Sequence, residues 1–156
     1  MDLRMKHAGF KLGRALMYVS VSLLSLSCQS SENESENLLQ YVDPFVGTTY
    51  TGHTFPGATY PLGFMQPGPQ TGNFGWDYCA GYRYEDPLIW GFSQNRLNGT
   101  GVPDLGDLLI MPFSGTPRND FRSTYKKESE KASPGYYAVT LDQNSVDVEI
   151  TTTPHV

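Results

Sequence analysis

The stretch that decides the fold is PGYYAVTLDQNSVDVEIT, residues 134–151. It begins with a Pro-Gly turn signal, and its apolar side chains then alternate with other residues at a spacing of two. The alternating apolar residues are Tyr137, Val139, Leu141, Val146, Val148 and Ile150. Because successive side chains of a strand point to opposite faces, this spacing predicts two β-strands, each with one buried face.

Upstream of these strands, residues 43–115 carry a Pro or a Gly every few positions, which leaves no window for a four-turn helix. Residues 108–113 form an apolar run short enough for a strand covered on both sides. Weaker strand candidates are residues 88–92 and 62–66. Short strands separated by turn signals predict an all-β fold, an antiparallel β-sandwich, with very little helix.

The N-terminal residues 1–28 have the pattern of a secretory signal. Four basic residues precede an uncharged apolar run, residues 15–26, that is too short to span a bilayer comfortably. Cys28 follows Leu-Ser-Leu-Ser, which resembles a bacterial lipobox and predicts lipidation of Cys28. An ordinary cleaved signal with an incidental cysteine is the alternative, since Ser25 stands where such boxes usually carry an aliphatic residue.

Residues 29–40 are mostly polar and acidic and carry no aromatic residue, so we expect a flexible tether. The tract resembles the serine-plus-acidic segments that send some Gram-negative lipoproteins to the cell surface, although a plain spacer fits equally well. We therefore expect an exported lipoprotein, periplasmic or at the cell surface, that is anchored to the outer membrane through lipid. The folded domain is expected to span residues 41–156.

The charge balance argues against a nucleic-acid partner. The chain has 11 Lys and Arg against 16 Asp and Glu, and four of the basic residues lie in the signal. Lys126, Lys127 and Lys131 alternate with Glu128 and Glu130, which predicts a solvated face and not a basic binding stripe. If Cys28 is lipidated, Cys79 is the remaining thiol and no internal disulfide can form.

The Gly-, Pro- and aromatic-rich stretch of residues 52–112 suggests carbohydrate binding. Aromatic rings on a turn-rich frame offer flat faces beside hydrogen-bonding groups, as a sugar ring requires. Trp76, between Gly75 and Asp77, is predicted to be exposed on a loop and is the preferred sugar platform. Trp90 lies in an apolar run and is predicted to belong to the core.

Glycoside hydrolysis usually needs two carboxyl groups that flank the scissile bond. Asp104 and Asp107 lie in a Gly/Pro turn, where aspartate commonly caps its own backbone, and Glu85 and Asp86 precede a proline in a similar turn. Asp77 stands alone between two aromatic residues, and one carboxylate does not make an acid–base pair. We therefore expect no catalytic pair within this chain.

A cysteine nucleophile would need a neighbouring base, and after the signal the histidines are His53 and His155. His53 lies in a Gly-His-Thr-Phe-Pro-Gly turn, which favours a structural histidine bonded to the loop backbone. Cys79 is expected to be a small buried residue and not a reactive thiol.

Taken together, the motifs resemble the N-terminal domain of glycoside hydrolase family 92, the calcium-dependent exo-acting α-mannosidases. The resemblance extends over essentially all of the chain after the tether. Its elements are YVDPFVGT (41–48), GHTFPGA (52–58), PLG (61–63), WDYCAGY (76–82), GFS (91–93), GTG (99–101), DLGD (104–107) and KASPGYY (131–137).

The resemblance implies a β-sandwich that packs against a larger, helical (α/α)₆ catalytic domain, with this chain truncated before that domain. It implies inverting hydrolysis of α-linked mannose, with the acid, the base and a calcium ion in the absent domain and this fragment inactive alone. Carried over, Trp76 lies near the leaving-group sugar, with Asp77 and Cys79 as weaker lining candidates. Residues 94–98 replace a histidine-containing stretch of many members, so linkage preference stays open. The alternative is a stand-alone mannan-binding lipoprotein without catalysis.

Overall fold

The computed structural model describes residues 36–60, 65–72, 75–97, 99, 101–106, 108–116, 119–143 and 145–153. The predicted signal, Cys28, most of the predicted tether, Asp107 and His155 lie outside them. Among the described residues, three short 3₁₀ helices span Leu38–Tyr41, Trp76–Tyr78 and Lys127–Ser129. Within the described ranges, no helix has the length and apolar character needed to cross a membrane.

The described strands pair antiparallel in three small sheets, which confirms the predicted all-β antiparallel sandwich. The sheet orders are β1-β3-β4, β2-β5 and β6-β7-β8. The strands are β1 (Gly68–Gln70), β2 (Leu88–Ile89), β3 (Gly91–Ser93), β4 (Leu109–Ile110), β5 (Ser123–Thr124), β6 (Lys131–Ser133), β7 (Tyr136–Leu141) and β8 (Val146–Thr151).

Strands β7 and β8 form the hairpin that the opening stretch predicts, with Tyr137 opposite Ile150 and Val139 opposite Val148. The alternating residues of β7 are buried, and those of β8 are half-buried while their neighbours are exposed. Gly135 takes the left-handed conformation (φ 78°) that the turn between β6 and β7 requires. The period-2 pattern therefore gave both strands and the faces that they bury.

The core joins the β6-β7-β8 sheet to strands β2 and β3. Its buried members are Ile89, Phe92, Tyr125, Tyr137, Val139 and Leu141. The rings of Phe92 and Tyr137 lie 6.5 Å apart between centroids and are tilted by 52°. Because its residues come from strands of all three sheets, this cluster packs the sheets against one another.

Two strand predictions need correction. The run of residues 108–113 forms strand only over β4, and its side chains are exposed, with Ile110 at 57%. β4 is an edge strand of its sheet, and the exposure of both its residues shows that the described part of the chain does not cover both of its faces. Residues 88–92 do not form one strand, because β2 and β3 on either side of Trp90 belong to different sheets.

Trp90 is half-buried and lies outside the core cluster, so its predicted core position was wrong. Its backbone N–H donates to the carbonyl of Gln70 at 2.7 Å, and the guanidinium of Arg122 lies 5.7 Å from its ring centroid. Of the weak candidate at residues 62–66, only Met65 and Gln66 are described, and Met65 makes an isolated bridge with Tyr60.

Candidate functional site

Trp76 opens a 3₁₀ helix on the surface, as the sequence predicts. Its side chain is 64% exposed. The preceding Gly75 has φ 77°, a conformation that glycine adopts at little cost, and it turns the chain into the helix. The indole is thus presented to solvent by a short, well-defined turn.

Two other loops contact the indole. The ring of His53 lies 5.9 Å from that of Trp76 between centroids, at an interplanar angle of 64°, an edge-to-face arrangement. A Cβ added at Gly101 would lie 2.5 Å from atoms of the indole, so any other residue at this position would clash with the ring where it now lies. Three segments that are distant in sequence therefore meet at Trp76.

Cys79 lies beneath this surface and anchors His53. It is fully buried, which confirms its predicted burial, and its Sγ is 3.1 Å from Nδ1 of His53. The histidine partner is thus a thiol, whereas the sequence favoured a bond to the loop backbone. His53 Nε2 is also buried and has no hydrogen-bond partner among the described residues.

Arg96 is a buried cation behind Cys79 that the sequence did not predict. The residue is 7% exposed, and its guanidinium fills the space beside Gly81 and Gly106, where a Cβ would clash with it. Burial lowers the pKa of Arg96, while the neighbouring Cys79 acts in the opposite direction. Arg96 lies in the stretch that departs from the family pattern, and no local sequence signal marks it as buried.

The candidate carboxylates are not brought together into an acid–base pair among the described residues. Asp86 accepts hydrogen bonds from the side chains of Thr71 at 2.7 Å and Tyr78 at 3.2 Å, and Asp104 accepts one from the N–H of Leu105 at 2.8 Å. Asp104 thus has the local role that the turn interpretation predicts, whereas the partners of Asp86 are side chains from other parts of the chain. Asp77 is exposed beside Trp76. The described part of the chain contains no group of three His, Cys, Asp or Glu residues suited to a metal ion.

A second polar cluster surrounds Glu130, whose side chain is 1% exposed. Its carboxylate accepts hydrogen bonds from the hydroxyls of Tyr137 at 2.7 Å and Tyr82 at 3.0 Å, and from Lys127 Nζ at 3.3 Å. Lys127 also bonds to the hydroxyl of Tyr125. The cluster joins the β6-β7-β8 sheet to the loop that carries Trp76 and Cys79.

Lys127 and Glu130 are therefore not part of a solvated face, and that prediction was wrong for these two residues. The ammonium of Lys127 lies 4.4, 4.5 and 5.2 Å from the ring centroids of Tyr125, Tyr84 and Tyr82. Burial lowers the pKa of Lys127, and the Glu130 carboxylate opposes that shift. Burial, followed by the charge of Glu130, raises the pKa of Tyr82, Tyr125 and Tyr137 well above the usual tyrosine value. Lys127 and Glu130 also line a cavity of about 390 Å³, together with Tyr84 and the segment around Phe45.

Comparison with known proteins places these features in a family. A profile of the Glycosyl hydrolase family 92 N-terminal domain matches residues 41–156. An uncharacterized secreted glycosidase from Arthroderma benhamiae is 33% identical over 150 residues, which cover 86% of this chain and 19% of that protein.

Two solved structures show the same fold. A family GH92 alpha-mannosidase from Bacteroides thetaiotaomicron, solved in complex with mannoimidazole, matches with a TM-score of 0.71 at 41% identity, over 76% of this chain and 17% of that one. A family GH92 inverting mannosidase from the same organism matches with a TM-score of 0.58 at 27% identity, over 74% and 16%. The chain thus spans less than a fifth of the length of each relative.

Proposed function

The chain belongs to glycosyl hydrolase family 92 through its N-terminal domain, and on this basis we propose that it forms the sugar-contacting wall of an α-mannosidase pocket. The complete enzyme would remove α-linked mannose from glycans with inversion, as the names of two related structures suggest. The observation that carries the proposal is the exposed indole of Trp76, held at the surface by three loops.

The chemistry would come from another part of the enzyme. The carboxylates described near the site either have structural partners, as Asp86 does, or stand alone, as Asp77 does. Acid, base and calcium are proposed to lie in a separate catalytic domain, which is in keeping with relatives of which this chain spans less than a fifth. Trp76 would stack against the leaving-group sugar, with Asp77 beside it at the rim, while buried Cys79 would act from below the surface.

An apolar groove offers a contact surface for the remainder of such an enzyme. It has a volume of about 290 Å³, and Ile110, Val148 and Ile150 are among its lining residues. A domain packed over these side chains would remove their apolar surface from water, which is favourable. We expect Ile110→Ser to reduce binding of the dye ANS to the isolated chain. Unchanged ANS binding would contradict this assignment of the groove.

The experiment that tests the proposed function compares two substrates in the complete enzyme. Trp76→Ala should lower kcat/KM on α-mannobiose by about tenfold, a loss of ~1.4 kcal/mol that is within the range of one aromatic contact. The loss on an aryl α-mannoside should be smaller, since only the disaccharide places a sugar in the leaving-group position. Trp90→Phe, at the other tryptophan, is the matched control and should leave both substrates unaffected.

Equal losses on both substrates would remove Trp76 from the leaving-sugar site. Release of mannose by the 156-residue chain alone, in a preparation free of other glycosidases, would refute the proposal that the catalytic acid and base lie in a separate domain. Tight binding of mannan by the isolated chain, together with full activity of the Trp76→Ala enzyme, would favour a separate carbohydrate-binding role.

A further inference from the structure

We propose that His53, anchored by Cys79, is a positioning residue that fixes the indole of Trp76 in the orientation in which it meets a sugar. The inference rests on the proposed function of Trp76 and extends it to a residue that does not itself touch the substrate. It explains how a side chain that is 64% exposed can present a defined face.

An exposed indole that nothing holds would sample several rotamers. Ordering it upon sugar binding would cost side-chain entropy, and that cost would be subtracted from the stacking free energy. Contacts that restrict the ring before the sugar arrives remove this cost. The structure supplies two of them, the edge-to-face contact with the ring of His53 and the close approach of Gly101.

The restraint from His53 depends on the imidazole itself being fixed. Cys79 is fully buried, and its Sγ lies 3.1 Å from Nδ1. If the thiol donates to Nδ1, the ring proton resides on Nε2. Nε2, the other ring nitrogen, is buried and has no hydrogen-bond partner in the described part of the chain, and its ring lies edge-to-face with the indole. An N–H directed at an aromatic face would give this atom a weak partner.

The backbone at His53 provides a matched variant. Its φ of 58° lies in the left-handed region, which asparagine adopts more readily than most other residues. His53→Asn therefore keeps a compatible backbone, and its short amide lies near the position of Nδ1, within reach of Cys79. It removes the ring edge that contacts Trp76. Cys79→Ala does the opposite, because it keeps the imidazole and removes its anchor.

The test uses the chain labelled with 5-fluorotryptophan. The sequence has two tryptophans, so two ¹⁹F resonances are expected, and Trp90→Phe assigns them. His53→Asn and Cys79→Ala should each move the Trp76 resonance toward that of free fluorotryptophan, while the Trp90 resonance stays in place. A Trp76 resonance that neither variant moves would overturn the proposal. If His53→Asn unfolds the chain, the Trp90 resonance will also move and will reveal the unfolding. The response of the Trp76 resonance to Cys79→Ala would then decide whether the proposal holds.

A kinetic cycle in the complete enzyme separates positioning from a purely structural role. His53→Asn should lower kcat/KM on α-mannobiose by about twofold to tenfold, the range of one aromatic pair. Added to Trp76→Ala it should cause no further loss, since it acts through that ring. Additive losses would refute action through Trp76. If Trp76→Ala itself has no effect, the proposed function fails, whereas the ¹⁹F result still judges the positioning of the ring.

Discussion

Removing the carboxylate of Glu130 should destabilise the fold more than any surface substitution. In Glu130→Ala the hydroxyls of Tyr137, 0% exposed, and Tyr82, 2% exposed, lose their acceptor. An unsatisfied buried donor costs about 1–3 kcal/mol, and breaking a buried charge pair costs about 3–5 kcal/mol in total. We therefore expect Glu130→Ala to lower the free energy of unfolding by about 3–5 kcal/mol, a large share of a typical domain's stability.

Glu130→Gln should cost less, about 1–3 kcal/mol, because one acceptor oxygen remains. The assay is urea unfolding of the isolated chain followed by tyrosine and tryptophan fluorescence, with the slope checked for two-state behaviour. Glu128→Gln is the matched control, since Glu128 is exposed in the 3₁₀ helix that Glu130 follows, and it should change stability by less than about 0.5 kcal/mol. A Glu130→Ala chain as stable as the Glu128→Gln control would refute the reasoning.

The remaining predictions concern alkaline stability and the anchor. The raised pKa values of Tyr82, Tyr125 and Tyr137 keep these hydroxyls protonated in the folded chain, so stability is full below about pH 10 and falls above it by ~1.4 kcal/mol per pH unit for each tyrosine. The lowered pKa of Lys127 makes stability rise with pH, but only up to about pH 10.4, where the unfolded chain also loses this proton. The measurement is urea unfolding, and a free energy of unfolding that is unchanged between pH 9 and pH 11 would contradict this prediction. In a Gram-negative host, radioactive palmitate should label the wild-type protein but not Cys28→Ala, and equal labelling would exclude lipidation at Cys28.

The sequence predicts well the features that depend on residues adjacent in the chain. The β7–β8 hairpin follows from a period of two over residues 136–151, and the exposure of Trp76 follows from the glycine before it and the polar residue after it. The turn role of Asp104 is equally local, since its partner is the next residue. Each needs only a few adjacent positions to be specified.

The features that the sequence does not reveal depend on partners far along the chain. Tyr82 and Glu130 are 48 positions apart, and His53 and Cys79 are 26 apart. The alternation of charges around Lys127 predicts a solvated face, yet two of the tyrosines that enclose it, Tyr82 and Tyr84, come from a segment far upstream. The core position predicted for Trp90 was wrong for the converse reason. Its sequence neighbours are apolar and favour a core position, but the strand is interrupted at Trp90.

The loop of residues 76–82 makes contacts both with the core sheet and with the loops around Trp76. The Glu130 cluster ties the β6-β7-β8 sheet to the loop of residues 76–82, whereas the Trp76 contacts come from the loops around His53 and Gly101. Both groups of contacts meet on one short loop, at Tyr82 and at Trp76 and Cys79. Loss of Glu130 should therefore loosen the proposed sugar-contacting surface as well as the core, while His53→Asn should disturb that surface and leave the core intact. The ¹⁹F resonance of Trp76 should thus respond to both variants, and the free energy of unfolding should fall strongly only for Glu130→Ala.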